Sequence, residues 1–149
     1  MKKEFKIEII DTKDTYSLRH RVLRSHQKIE DVEYPGDHTS TTFHLGLKDN
    51  KTIVCVGSLF LESFTAFTDE RQYRLRGMAT DPDFRGKGGG KALFDEAEKI
   101  IRQRGATLLW CYAREKAFGF YRRCGMEFHG DFFDVPQIGR HKVMFKPLI

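Results

Sequence analysis

The spacing of apolar residues changes several times along the chain, and each change marks an element. Phe5, Ile7 and Ile9 alternate with Glu4, Lys6 and Glu8, the period of a half-buried strand over 4–10. Leu18 and Val22 then stand four apart, which predicts a helix from about Asp14 to Ser25 with Asp14 as its cap. Residues 26–40, with Tyr34, Pro35, Gly36 and Asp37, read as a loop holding a short helical turn. Two strand-like runs, TTFHLGLK and KTIVCVGSLFLE, flank Asp49-Asn50, and that pair predicts a two-residue hairpin connection. After a polar stretch over 65–71, YRLRGMAT is a further strand, ended by Asp81-Pro82.

The helical period is clearest between Gly89 and Arg104, where Leu93, Ala97, Ile100 and Ile101 share a face and Gly105 follows at a cap position. ATLLWCYA, continuously apolar, suits a strand covered on both faces. A helix over 114–123 ends at Gly125, and MEFHGDFF and GRHKVMFK are the closing strands. The order strand, helix, hairpin, strand, helix, strand, helix, strand, strand predicts one α/β (α+β) domain over 1–149. Its sheet is mixed and largely antiparallel.

Composition narrows the function classes. A chain of 149 residues with 40% hydrophobic residues and 13 Phe builds one core and is not disordered. No stretch approaches the ~20 apolar residues of a membrane helix, and MKKEFKIEII interleaves charges where a signal peptide is apolar, so the expected setting is cytoplasmic. Cys55, Cys111 and Cys124 are widely spaced without a C-x-x-C pair, which predicts reduced, buried thiols and no metal site. The 26 Lys plus Arg against 21 Asp plus Glu leave +5, but the cations are mostly interleaved with acids. Arg19, His20, Arg21 and Arg24, with Lys2 and Lys3, are the local exceptions. A small anionic ligand explains that excess as well as a nucleic acid does. Arg19 and Arg21 read as a solvated helix face.

Between the YRLRGMAT strand and the clearest helix lies Arg85-Gly86-Lys87-Gly88-Gly89-Gly90-Lys91. Glycines at four of five positions strip the backbone of Cβ atoms, so its N–H groups can converge on an anion at the positive helix end. Three cations flank them, and a phosphate site is the natural reading. The spacing is not that of a Walker loop, since Arg85 stands at the first glycine position and Ala92 where Ser or Thr would hold magnesium. A dinucleotide fingerprint would need Gly at position 91, which is Lys.

Arg85-x-x-Gly88-x-Gly90, after a strand and opening a helix, resembles the coenzyme A pyrophosphate loop of the GNAT superfamily of N-acetyltransferases. LRGMATDPDFRGKGGGKALFDEAEK is similar to that family's central motif. LLWCYAREKAFGFYRRCGMEFHG is similar to the next, with Ala-x-x-Phe-Tyr-x-x-x-Gly at Ala117, Phe120, Tyr121 and Gly125. Where many members carry Asn, this chain has Tyr112, Ala113 and Arg114. The resemblance implies a single GNAT-like domain that transfers an acetyl group from acetyl-CoA to a primary amine of a small molecule or peptide, without a metal.

It further implies that Met78, Ala79 and Thr80 present backbone amides to the pantetheine arm and the thioester. Arg85, Gly86, Lys87, Gly88, Gly89, Gly90 and Lys91 would hold the pyrophosphate, with Ala113, Ala117, Phe120 and Tyr121 completing the coenzyme wall. On that strand the alternation puts Tyr73, Leu75, Gly77 and Ala79 on one face and Arg74, Arg76, Met78 and Thr80 on the other, with Gly77 leaving room for a bulge or a close approach. Tyr121 is the family-matched general acid; packing alone is its other reading. For the base, His141 is the first candidate, on a segment, Ile138 to Met144, that resembles the ending of ElaA-like acetyltransferases. Glu62, Asp134 or a structural role for His141 stay open. Arg24 and Arg76 are candidates to hold an acceptor carboxylate. A homodimer is compatible with the family. The rival functions are an acyl-CoA sensor that does no chemistry and a nucleic-acid-binding module; neither a nucleic acid nor a membrane partner is expected.

Overall fold

The computed structural model describes residues 5–148, so Lys2, Lys3 and the Glu4 start of the first strand lie outside the described residues. Seven strands form one sheet: β1 (Phe5–Ile10), β2 (Phe43–Asp49), β3 (Thr52–Leu61), β4 (Gln72–Thr80), β5 (Leu108–Arg114), β6 (Glu127–Val135) and β7 (Gly139–Pro147). Their order is β1-β2-β3-β4-β5-β7-β6, antiparallel at every pairing except β4 with β5. The parallel pair follows from its connection, α2 (Gly89–Gln103), which crosses over the sheet between the two strands.

That pair is short. Gln72, Tyr73 and Arg74 pair with Leu108, Leu109 and Trp110, and beyond them the strands part. From Leu75 onward β4 has only β3 beside it, and from Cys111 onward β5 has only β7. A gap therefore opens inside the sheet, toward the end of β4 that leads into the glycine-rich loop.

The main core fills the face covered by α2 and by α3 (Phe118–Arg123), with Leu59, Tyr73, Leu75, Leu93, Ala97, Leu109 and Met144 at its centre. A smaller cluster of Ile10, Leu18, Val56 and Ala79 lies on the other face, under the first helical segment.

Three expected boundaries shift for local reasons. The first helical segment starts after an extended Asp11 and changes pitch twice: a 3₁₀ turn (Thr12–Thr15), α1 (Tyr16–Leu18) and a π turn (Arg19–Leu23). Asp14 thus lies inside the first turn and caps nothing. The hairpin connection is Asn50-Lys51, one residue later than expected, because Asp49 still pairs with Thr52 and Asn50 takes the left-handed conformation at φ +58°. The strand β5 runs on through Arg114, so the helix expected from 114 begins as α3 only at Phe118, after a 3₁₀ turn at Glu115–Ala117.

Candidate active site

A bulge in β4 shapes the gap. Val56 faces Ala79 while Ser58 faces Arg76, so Gly57 stands opposite two residues, Gly77 and Met78. Gly77 sits at φ +68°, and a Cβ there would lie 3.0 Å from Tyr34 Cε2 and 3.2 Å from Arg19 Nε. The bulge reverses the expected alternation beyond it. Met78 packs on the main core beside Leu75, whereas Ala79 joins Leu18 and Val56 on the opposite face.

The glycine-rich loop is open on its outer side. Gly86 and Gly88 have φ of +76° and +82°, and a Cβ at either would meet nothing within 4 Å. Gly88 immediately precedes α2, whose first N–H groups have no partner within the helix. Gly90 is different: it is helical, and its missing side chain admits the Phe120 ring, 3.1 Å from where a Cβ would stand. Arg85 and Lys87 are exposed, with Lys87 over the Phe84 ring, and Lys91 is bonded to Asp95 at 2.9 Å. A recess of about 250 Å³ adjoins the loop between α2 and the sheet, lined in part by Leu47, Val54 and Cys55. An open-sided backbone cradle at the positive end of a 15-residue helix fits a diphosphate.

Tyr121 lies beneath the gap. Its charged and polar neighbours are Cys55 on β3, Cys111 on β5, Cys124 and Arg114, and its ring packs against Phe94 and Phe120. Burial holds its phenol well above the ordinary value, so it stays protonated. Burial likewise pushes the neighbouring Cys111 thiol up to about 12. The side chains of Ala113 and Ala117 belong to the core.

His141 is on the other face. The register sets Trp110 against Phe145, Tyr112 against Val143 and Arg114 against His141, and Phe133 of β6 lies beside His141. On the far side of the gap, Arg74 and Arg76 pair with Phe60 and Ser58 of β3. These side chains share the face away from α2 and α3, with Trp110, Ser58 and Phe60 buried and the more open Arg76, Tyr112 and Arg114 flanking the gap as a groove. His141 Nδ1 donates to Gly139 O at 2.8 Å, which leaves Nε2 as an acceptor. Burial lowers its pKa; the Gly139 carbonyl raises it, and the charges of Arg114 and Arg24 lower it further. Glu62 is exposed and accepts from Arg74 Nη1 at 3.1 Å, and Asp134 is exposed on β6.

The groove is walled by the loop after the first helical segment. Tyr34 lies against two guanidiniums, Arg19 at 4.0 Å and Arg76 at 4.1 Å from its ring centre. Arg19, expected on a solvated face, is fully buried because the π turn directs it inward to Asp37. Arg21 is exposed and meets Asp81 at 3.1 Å. Sequence reasoning missed Tyr34 and Arg114 as groove residues. For Arg114 a signal existed, since it follows Trp110 and Tyr112 at period two along β5.

The glycine-rich cradle and the arginine-lined groove of the opposite face thus meet at one gap in a sheet. Residues 9–126 match the Acetyltransferase (GNAT) family. The chain is 39% identical over 142 residues to the uncharacterized N-acetyltransferase YitI of Bacillus subtilis (strain 168), with 95% of each chain covered. Among solved structures it superposes on an aminoglycoside 6'-N-acetyltransferase complexed with coenzyme A, with TM-score 0.77, 14% identity, and 97% of each chain covered. It also superposes on the ribosomal-protein-S18-alanine N-acetyltransferase from Escherichia coli, with TM-score 0.76 and 17% identity over 97% of this chain and 94% of that one. Among the described residues no group of His, Cys, Asp or Glu could hold a metal ion, and no helix is long and apolar enough to cross a membrane. With its glycine cradle, split sheet and matched motifs, this chain belongs to the GNAT family of N-acetyltransferases, enzymes that acetylate amines with acetyl-CoA as donor.

Proposed function

We propose that residues 1–149 form one cytoplasmic catalytic domain that acetylates the primary amine of a small molecule or peptide. The observation that carries this reading is Tyr121, buried beneath the gap and next in the chain to Phe120, which closes on the glycine cradle. The coenzyme supplies the acetyl thioester. Arg85, Gly86, Lys87, Gly88, Gly89, Gly90 and Lys91 hold its diphosphate by backbone N–H groups and charge, and along Met78, Ala79 and Thr80 the N–H groups turned away from β3, that of Thr80 among them, stabilise negative charge on an oxygen in the gap. Tyr121 keeps its proton until a thiolate develops next to it. A thiolate formed in so dry a place is poorly solvated, and the adjacent phenol, held protonated by burial, is placed to donate its proton.

His141 Nε2 takes the proton from the acceptor ammonium, entering from the groove with Arg24 and Arg76 at its side. Glu62 and Asp134 could act there only through water. The reading requires no homodimer, nucleic acid or membrane.

Tyr121→Phe tests it. The ring and its packing persist while the hydroxyl is lost, so the melting temperature and the Kd for acetyl-CoA should hold while kcat falls about 100-fold. An unchanged kcat, where chemistry limits turnover, returns Tyr121 to a packing role. For His141, only the neutral form is a base, so activity is lost as pH falls through its folded pKa. Since that pKa is lowered, the acid limb of kcat/KM should lie below the ordinary histidine value of about 6.5. In His141→Gln the limb should vanish and kcat should fall by ~100-fold. A limb that survives in the variant assigns the base elsewhere.

A further inference from the structure

We propose that the acceptor amine also carries a carboxylate, held in the groove by Arg24, Arg76 and Arg114. The inference deepens the N-acetyltransferase reading above and rests on it. Arg76 comes from β4, Arg114 from the end of β5 beside His141, and Arg24 from the end of the π turn. Arg24 lies within electrostatic reach of both the others, and both are half-buried. Three like charges brought together and partly stripped of water repel one another.

Two other guanidiniums shielded from water have a carboxylate to offset that cost, Arg19 with Asp37 and Arg74 with Glu62, while the half-buried Arg104 stands alone over the Phe43 ring, with no second cation crowded against it among the described residues. The groove cluster has no such carboxylate among the described residues. Arg114 Nη2 donates to the Leu23 carbonyl at 2.9 Å, and Arg76 rests on the Tyr34 ring. The charge of Glu62 reaches Arg76, but its carboxylate is engaged by Arg74.

The diphosphate of the coenzyme does not supply the missing anion, because its cradle opens at the N-terminus of α2, and α2 covers the other face of the sheet. An anion is therefore wanted from the acceptor side. Guanidinium groups match a carboxylate in shape as well as charge. The same cluster repels polyamines and other polycations, which leaves amino carboxylates as the fitting class. The neutral imidazole of His141 adds no further positive charge where the ammonium must enter.

The test measures thiol release from acetyl-CoA with matched acceptors: an amino acid, its amide, and the amine left by removing its carboxyl group. In the wild type the carboxylate should raise kcat/KM about tenfold or more, chiefly through KM. In Arg24→Gln and Arg76→Gln that preference should collapse while the Kd for acetyl-CoA holds. Preference for the amide or the decarboxylated amine, or a preference that survives both substitutions, overturns the proposal. If no acceptor is turned over although acetyl-CoA binds, the transferase reading fails at the acceptor, and the carboxylate site is judged by titrating glutarate into the wild type and Arg76→Gln. Binding to the wild type that weakens about tenfold in the variant upholds the site; absent or equal binding removes it.

Discussion

Asp37→Ala will lower the stability of the fold by about 3–5 kcal/mol, because it leaves the Arg19 guanidinium buried without its counter-ion. Both side chains are 0% exposed, and the pair is bidentate, with Arg19 Nη1 and Nη2 donating to the two Asp37 oxygens at 2.7 and 2.8 Å. The Tyr34 N–H also donates to Asp37, and Arg19 donates to Ser58 Oγ, which meets His44 Nδ1 at 2.7 Å. In a domain whose total stability is about 5–15 kcal/mol, a midpoint drop of roughly 10 °C is expected in thermal unfolding. Burial alone would raise the Asp37 pKa, but the bonds from Arg19 and Tyr34 hold it below the ordinary carboxylate range. The stabilisation is therefore complete above the unfolded value and is lost as pH falls through the lowered folded one. Arg19→Met combined with Asp37→Leu should recover part of the loss. An unchanged midpoint in Asp37→Ala would show the pair to be dispensable.

Gly88→Val should abolish acetyl-CoA binding. Valine resists φ of +82°, so the loop must leave its conformation, although nothing within 4 Å blocks the side chain itself. The wild type at ~100 times Kd should gain about 2.7 kcal/mol, read as a raised melting temperature, and the variant should show no shift at millimolar coenzyme. Arg85→Ala should only weaken binding, since it removes one exposed cation and leaves the amides in place. Gly90→Val should also interfere, through collision with Phe120 instead of backbone strain. A normal shift in Gly88→Val would dissociate the loop from the coenzyme.

The order of elements was legible because alternation and helical spacing are local, and the glycine cradle was legible because its cause, the loss of Cβ atoms, is written in consecutive residues. The faces of Met78 and Ala79 were not. They depend on Gly57 of β3 facing two residues of β4, a relation between strands that no single segment displays. Arg19 failed for a similar reason: its partner Asp37 is 18 residues away, and only the π turn brings the two together. The groove was half visible, since Arg24, Arg76 and His141 stood out singly, while Tyr34 and Arg114 join them only through the loop wall and the β5–β7 register.

The short pairing of β4 with β5 gives the sheet two strand edges in its interior instead of at its rim. At the periphery an edge without a partner strand is a template for other chains and a route to aggregation. Here it is enclosed by α3 beneath and the groove wall above, so the fold keeps main-chain donors and acceptors in readiness without offering them to a neighbouring molecule. On the coenzyme reading proposed above, what would reach them is a slender, extended, amide-bearing arm, completing the sheet as a substitute strand and recognised by its backbone-like shape as much as by any side chain.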